Sequence, residues 1–91
     1  MTSTPLKYLR KKDVLKQSAI GSTSLYYEVQ EGTFPPPVPL GARAVGYLEH
    51  EVQAILAAKA AGYTPDQLKA LVQQLIAKRE TFMQQFIANC M

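Results

Sequence analysis

The stretch Gly32-Thr33-Phe34-Pro35-Pro36-Pro37-Val38-Pro39-Leu40-Gly41-Ala42-Arg43-Ala44-Val45-Gly46-Tyr47 decides the fold class. Three consecutive prolines forbid a helix and favour an extended run. Val38 and Leu40 then alternate with prolines, as residues of an edge strand do. Gly41-Ala42-Arg43 makes a short turn, and Ala44-Val45-Gly46-Tyr47 returns as a second strand with Val45 and Tyr47 on one face. A small β-hairpin is therefore expected over residues 34–47, with Arg43 at its tip.

Two short helices precede it. The first is expected over Lys12–Gln17, with Leu9, Val14, Leu15 and Ile20 on its buried side. Ser18 to Ser22 form a tight turn, and Gly21 or Ser22 can start the next helix. The second helix runs from about Thr23 to Glu31. Leu25, Tyr26 and Val29 are expected to be its buried stripe, leaving Ser24, Tyr27, Glu28 and Gln30 outward. Tyr8 and Tyr47 are also placed in the core. Gly32 supplies a left-handed stop. Two short helices around a tight turn form a helix-turn-helix pattern.

After the hairpin, a third helix is expected over Leu48–Ala61, with Val52, Ile55 and Leu56 inward and Gly62 ending it. Thr64-Pro65-Asp66-Gln67 is a helix start with every sign present: a capping threonine, proline at the first position, an acid for the dipole and a glutamine to close a capping box. The last helix should reach about Ala88, its apolar stripe interrupted by Arg79. Leu68, Leu75 and Phe82 fall on a seven-residue spacing, which suits a helix pairing with its own copy. Leu68, Leu71, Val72, Leu75, Phe82 and Phe86 are the expected dimerisation residues, packing onto the same chain being the alternative. The fold class is thus mainly α with a small β-hairpin: a winged helix-turn-helix over residues 1–62, followed by a long C-terminal helix over 63–91.

Composition narrows the function. A chain of 91 residues with 47% hydrophobic and 19% charged residues has a globular balance. One histidine, His50, and one cysteine, Cys90, cannot assemble a metal site, and Glu49 and Glu51 flank His50 at positions that point apart on a helix. No phosphate-cradling glycine loop is present. No enzyme activity and no cofactor are expected. Nor is a signal peptide or membrane span, which points to the cytoplasm. Net charge is +3, and Lys7, Arg10, Lys11, Lys12 and Lys16 cluster with only Asp13 opposing them. Standing alone, that cluster reads as a solvated helix face.

The segment 32–47, with Tyr8-Leu9-Arg10-Lys11-Lys12-Asp13-Val14 before it and Glu51-Val52 after it, resembles the AlpA family of small phage and prophage regulators. The likeness covers roughly residues 8–60. It implies a MerR-like winged helix-turn-helix on double-stranded DNA, with helix 22–31 in the major groove and the hairpin 34–47 on adjacent DNA. It further implies a bacterial, nucleoid-associated regulator of a phage-like or integrative element. The related alternatives are an excisionase that bends DNA beside an integrase or recombinase, and an interaction module that has lost DNA binding. Arg10, Lys12, Lys16, Ser22, Thr23, Ser24, Tyr27 and Arg43 are the expected DNA contacts. The sequence departs from the family pattern at two of them: Ser22 and Tyr27 stand where the family carries arginines. Affinity should then rest on Arg43, the basic cluster and pairing through the last helix more than on the second helix alone.

Overall fold

A computed structural model describes residues 6–90; residues 1–5, Met91 and the side chain of Cys90 lie outside that description. The chain order is β1 (Tyr8–Leu9), α1 (Lys11–Ser18), α2 (Ser22–Glu31), β2 (Val38–Pro39), β3 (Val45–Leu48), α3 (Glu49–Ala60) and α4 (Pro65–Cys90). The fold is mainly helical, with a small antiparallel sheet and a long C-terminal helix. The expected hairpin is there, and a third strand joins it: Tyr8–Leu9, where Leu9 was expected to belong to the buried side of the first helix. β3 lies in the middle, in the order β1-β3-β2, with Leu9 opposite Tyr47 and Val38 opposite Gly46. The Glu49 N–H donates to the Lys7 carbonyl at 2.8 Å and extends this pairing into α3. Pro39 sits on the edge strand, where its missing N–H costs no ladder bond.

Gly46 explains the tightness of the sheet. A Cβ there would meet Leu40 at 2.8 Å and Tyr8 at 3.1 Å, so both side chains close over the bare glycine. Tyr8 and Leu40 thus cover the sheet yet stay 44% and 48% exposed, and Val45 beside them is 49% exposed. Tyr8 is therefore not the core residue the spacing suggested. Tyr47 is, at 7% exposure, with its ring edge-on to Phe34 at 6.2 Å. Burial pushes the Tyr47 phenol above its ordinary range.

The helix ends follow local chemistry. Ala19 closes α1 in the left-handed region at φ 58°, and Gly21 opens α2 three residues after Ser18. Gly32 closes α2 at φ 83°, and the Thr33 N–H returns to the Glu28 carbonyl at 3.0 Å. Thr64 and Gln67 form the expected capping box: the Thr64 N–H donates to Gln67 Oε1 at 2.9 Å, and the Gln67 N–H to Thr64 Oγ1 at 3.2 Å.

One hydrophobic cluster joins all of this. It contains Leu9, Val14, Leu25, Phe34 and Tyr47 together with Val52, Ile55 and Ala58 of α3 and Leu68, Val72 and Leu75 of α4. Leu68, Val72 and Leu75, expected among the dimerisation residues, are buried in this core beside the apolar side of α3. Arg79, which breaks the apolar stripe of α4, holds the rest in place. It donates Nε to Glu51 Oε2 at 2.8 Å and Nη2 to Glu51 Oε1 at 2.6 Å, and also to the Pro36 carbonyl at 2.9 Å. Glu51 is 1% exposed, and its hydrogen bond lifts the Arg79 guanidinium further above its ordinary range. A fork-to-fork ion pair thus ties α4, α3 and the proline segment together.

Candidate nucleic-acid interface

The turn at residues 19–21 sets the entry to α2, and that entry is chemically open. Gly21 at the N-cap offers no side-chain cap, and the first turn carries no acid. The first backbone bond of the helix runs from the Leu25 N–H to the Gly21 carbonyl at 3.0 Å. Among the described residues, the N–H groups of Ser22, Thr23 and Ser24 thus have no intrahelical acceptor, and the hydroxyls of all three stand exposed beside them. Unpaired N–H groups at the positive end of a helix dipole make a seat for an anion.

The basic residues belong to the neighbouring helix. Arg10 is the N-cap of α1, and Lys12 and Lys16 lie one turn apart on it, all exposed. Arg43 is exposed in the loop between β2 and β3, where the Leu40 N–H donates to the Ala44 carbonyl at 2.8 Å. The structure thus brings Ser22, Thr23 and Ser24 into one helical turn with Tyr27 a turn later, and places Arg10, Lys12 and Lys16 on the adjoining helix. Arg43 stands apart on the hairpin. Among the described residues, none of these side chains engages in a hydrogen bond or ion pair within the chain.

Two residues of α2 differ from the sequence reading. Tyr26, expected in the core, is 59% exposed. It lies about 100° around the helix from Leu25, on the side away from the core. Its ring meets that of Tyr27 edge-on at 5.5 Å. Glu28, expected outward, turns inward and accepts from Lys59 Nζ of α3 at 2.7 Å. This removes from the outer face the one carboxylate in its middle. Helical spacing alone holds the signal for Tyr26: Leu25 and Val29 share a stripe at i and i+4, and position 26 falls outside it.

The remaining candidates sort simply. His50 packs edge-on against Phe82 at 5.2 Å, and Glu49 and Glu51 are engaged by Lys7 and Arg79. Among the described residues, no three His, Cys, Asp or Glu side chains converge on a possible metal position. No described helix is long and apolar enough to cross a membrane. Of the residues expected to pair with a second copy, Phe82 is half-buried and Phe86 is 49% exposed, beside Met83 and Ile87. With Leu6, Tyr8 and Val38 they line an open apolar groove.

The chain is 34% identical over 59 residues to a protein described as uncharacterized, ORF88 of Enterobacteria phage P4. The aligned part is 65% of this chain and 67% of that protein. No solved structure matches. Residues 7–59 match the model of the family described as "Prophage CP4-57 regulatory protein (AlpA)". That span runs from β1 to the end of α3 and contains the open N-terminus of α2, the basic face of α1 and the hairpin, and this chain belongs to the AlpA family of prophage regulatory proteins.

Proposed function

We propose that this protein is a sequence-specific regulator that binds double-stranded DNA of a phage-like or integrative element. In this reading α1, the turn and α2 form a helix-turn-helix, with α2 in the major groove and the β2–β3 hairpin as a wing on adjacent DNA. The observation that carries it is the set of exposed, unengaged donors: the open first turn of α2, Arg10, Lys12 and Lys16 on the preceding helix, and Arg43 on the hairpin. The hydroxyls and N–H groups of Ser22, Thr23 and Ser24 would seat one phosphate, and the basic side chains would neutralise others. Arg43 would gain from the negative potential of a narrow minor groove.

The test is selection of bound sequences from a random duplex pool, followed by affinity measurements across a salt series. With four phosphates neutralised, log Kd should rise with log salt at a slope of about 3.6. Lys12→Ala or Arg43→Ala should each reduce that slope by about 0.9. Failure to enrich any sequence, together with unchanged slopes in both variants, would sink the reading.

Pairing through the C-terminal helix enters the same proposal in reduced form. The self-contact would use the last turns of α4, at Phe86 with Met83, Ile87 and Phe82, since Leu68, Val72 and Leu75 are buried in their own chain. A dimer would place two copies on half-sites at a fixed spacing. Sedimentation of the full chain should give a dimer, and Phe86→Glu a monomer. A wild-type monomer at high concentration would leave the groove to another protein, such as an integrase or recombinase.

A further inference from the structure

Thr23, Tyr26, Tyr27 and Gln30 follow the i, i+3, i+4, i+7 spacing of a single helix face, and all four are exposed. The only carboxylate within their span, Glu28, is held by Lys59 on the inner side. The outer face of α2 therefore offers no charge between Ser22 and Gln30. It offers two aromatic rings, a methyl-bearing hydroxyl and a carboxamide. Base pairs differ in what such a face can read. Guanine is read chiefly by arginine or lysine at O6 and N7, and neither residue occurs anywhere on α2. Thymine presents an apolar C5-methyl group in the major groove, and adenine pairs its N6 and N7 with a glutamine carboxamide.

We infer that the Tyr26–Tyr27 ring pair is the specificity element of this helix, packing on thymine methyl groups while Gln30 addresses adenine, so that the preferred site is a run of A·T pairs under α2. The inference rests on the DNA-binding reading above. The pair is built for this work. Its rings lie edge-to-face at 5.5 Å and 73°, so each limits the rotation of the other. Tyrosine brings a wide apolar surface with only two side-chain torsions to fix. Leu25 and Val29, on the opposite side, hold the helix to the core and fix the direction in which the rings point.

Deoxyuridine tests this, because it is thymidine without the methyl group. A site is first selected from a random duplex pool with the full-length chain, and each thymine is then replaced singly by deoxyuridine. At the contacted positions the wild-type protein should lose about fourfold in affinity, the value of one methyl group taken from water. Tyr26→Ala and Tyr27→Ala should bind thymine and uracil sites equally at the step each contacts. Tyr26→Phe should keep the discrimination, since the ring and not the hydroxyl carries it. Melting curves of these exposed-site variants should match the wild type. A selected site centred on guanine, or equal affinity for thymine and uracil at every position, would overturn the inference and leave DNA binding standing. Loss of discrimination in Tyr26→Phe would also overturn it, assigning the hydroxyl to a phosphate instead. No enrichment of any sequence would remove the DNA-binding reading and this inference together.

Discussion

Ala19 and Gly46 place opposite demands on the backbone. Ala19 adopts φ 58° to turn α1 toward α2, a conformation that costs an L-residue about 1–2 kcal/mol. Glycine removes that strain and gives back part of the gain as freedom in the unfolded chain. Ala19→Gly should therefore raise stability by up to about 1 kcal/mol, measured as a higher urea midpoint at unchanged slope. At Gly46 the constraint is space. Any Cβ would push into Leu40 and into the base of the Tyr8 side chain. Gly46→Ala should lower stability by about 1–3 kcal/mol in the same experiment, through forced repacking. The roles of these two residues were hidden in the sequence for different reasons. An alanine carries no mark of the left-handed region. The crowding at Gly46 depends on β1, a two-residue strand too short to show an alternating pattern. Tyr26 is a different case: the helical period already excluded it from the stripe, and its apolar character argued against its geometry.

At the level of elements, the helices were legible because their ends announce themselves. Gly32, Gly62 and the Thr64–Gln67 box lie where capping chemistry requires them, so α2, α3 and α4 are set by local bonds. What those helices pack against was not legible. The seven-residue spacing of Leu68, Leu75 and Phe82 fits a partner chain and its own chain equally well; in the fold Leu68 and Leu75 are buried in the core with α3, while Phe82 is half-buried. Arg79 is the other half of that lesson. In the sequence it interrupts an apolar stripe; in the fold it meets a carboxylate that is itself buried. Arg79→Met should cost about 3–5 kcal/mol in chemical unfolding, because Glu51 would be left buried and unpaired. Adding Glu51→Met should recover much of that loss. Recovery should stay incomplete, since the Pro36 carbonyl loses its donor in both variants.

For the molecule as a whole, the central question is whether the family-matching part can stand without α4. Residues 7–59 match the AlpA family, yet Leu68, Val72 and Leu75 close the same core from outside that span. A fragment of residues 1–62 should expose the inner faces of Val52, Ile55 and Ala58, and should fail to give a cooperative melt by circular dichroism. A fragment that melts like the full chain would mean that α4 is an appendage. The candidate interface bears on the molecule differently. Among the described residues, Arg10, Lys12, Lys16, Arg43 and the first turn of α2 have no hydrogen-bond or ion-pair partner, so a ligand that engages them has no such bond to break first. Water and counterions are all that must leave. If the proposed interface binds DNA, it would do so with these groups already vacant, so differences in affinity between sites should lie mainly in how slowly the pair comes apart.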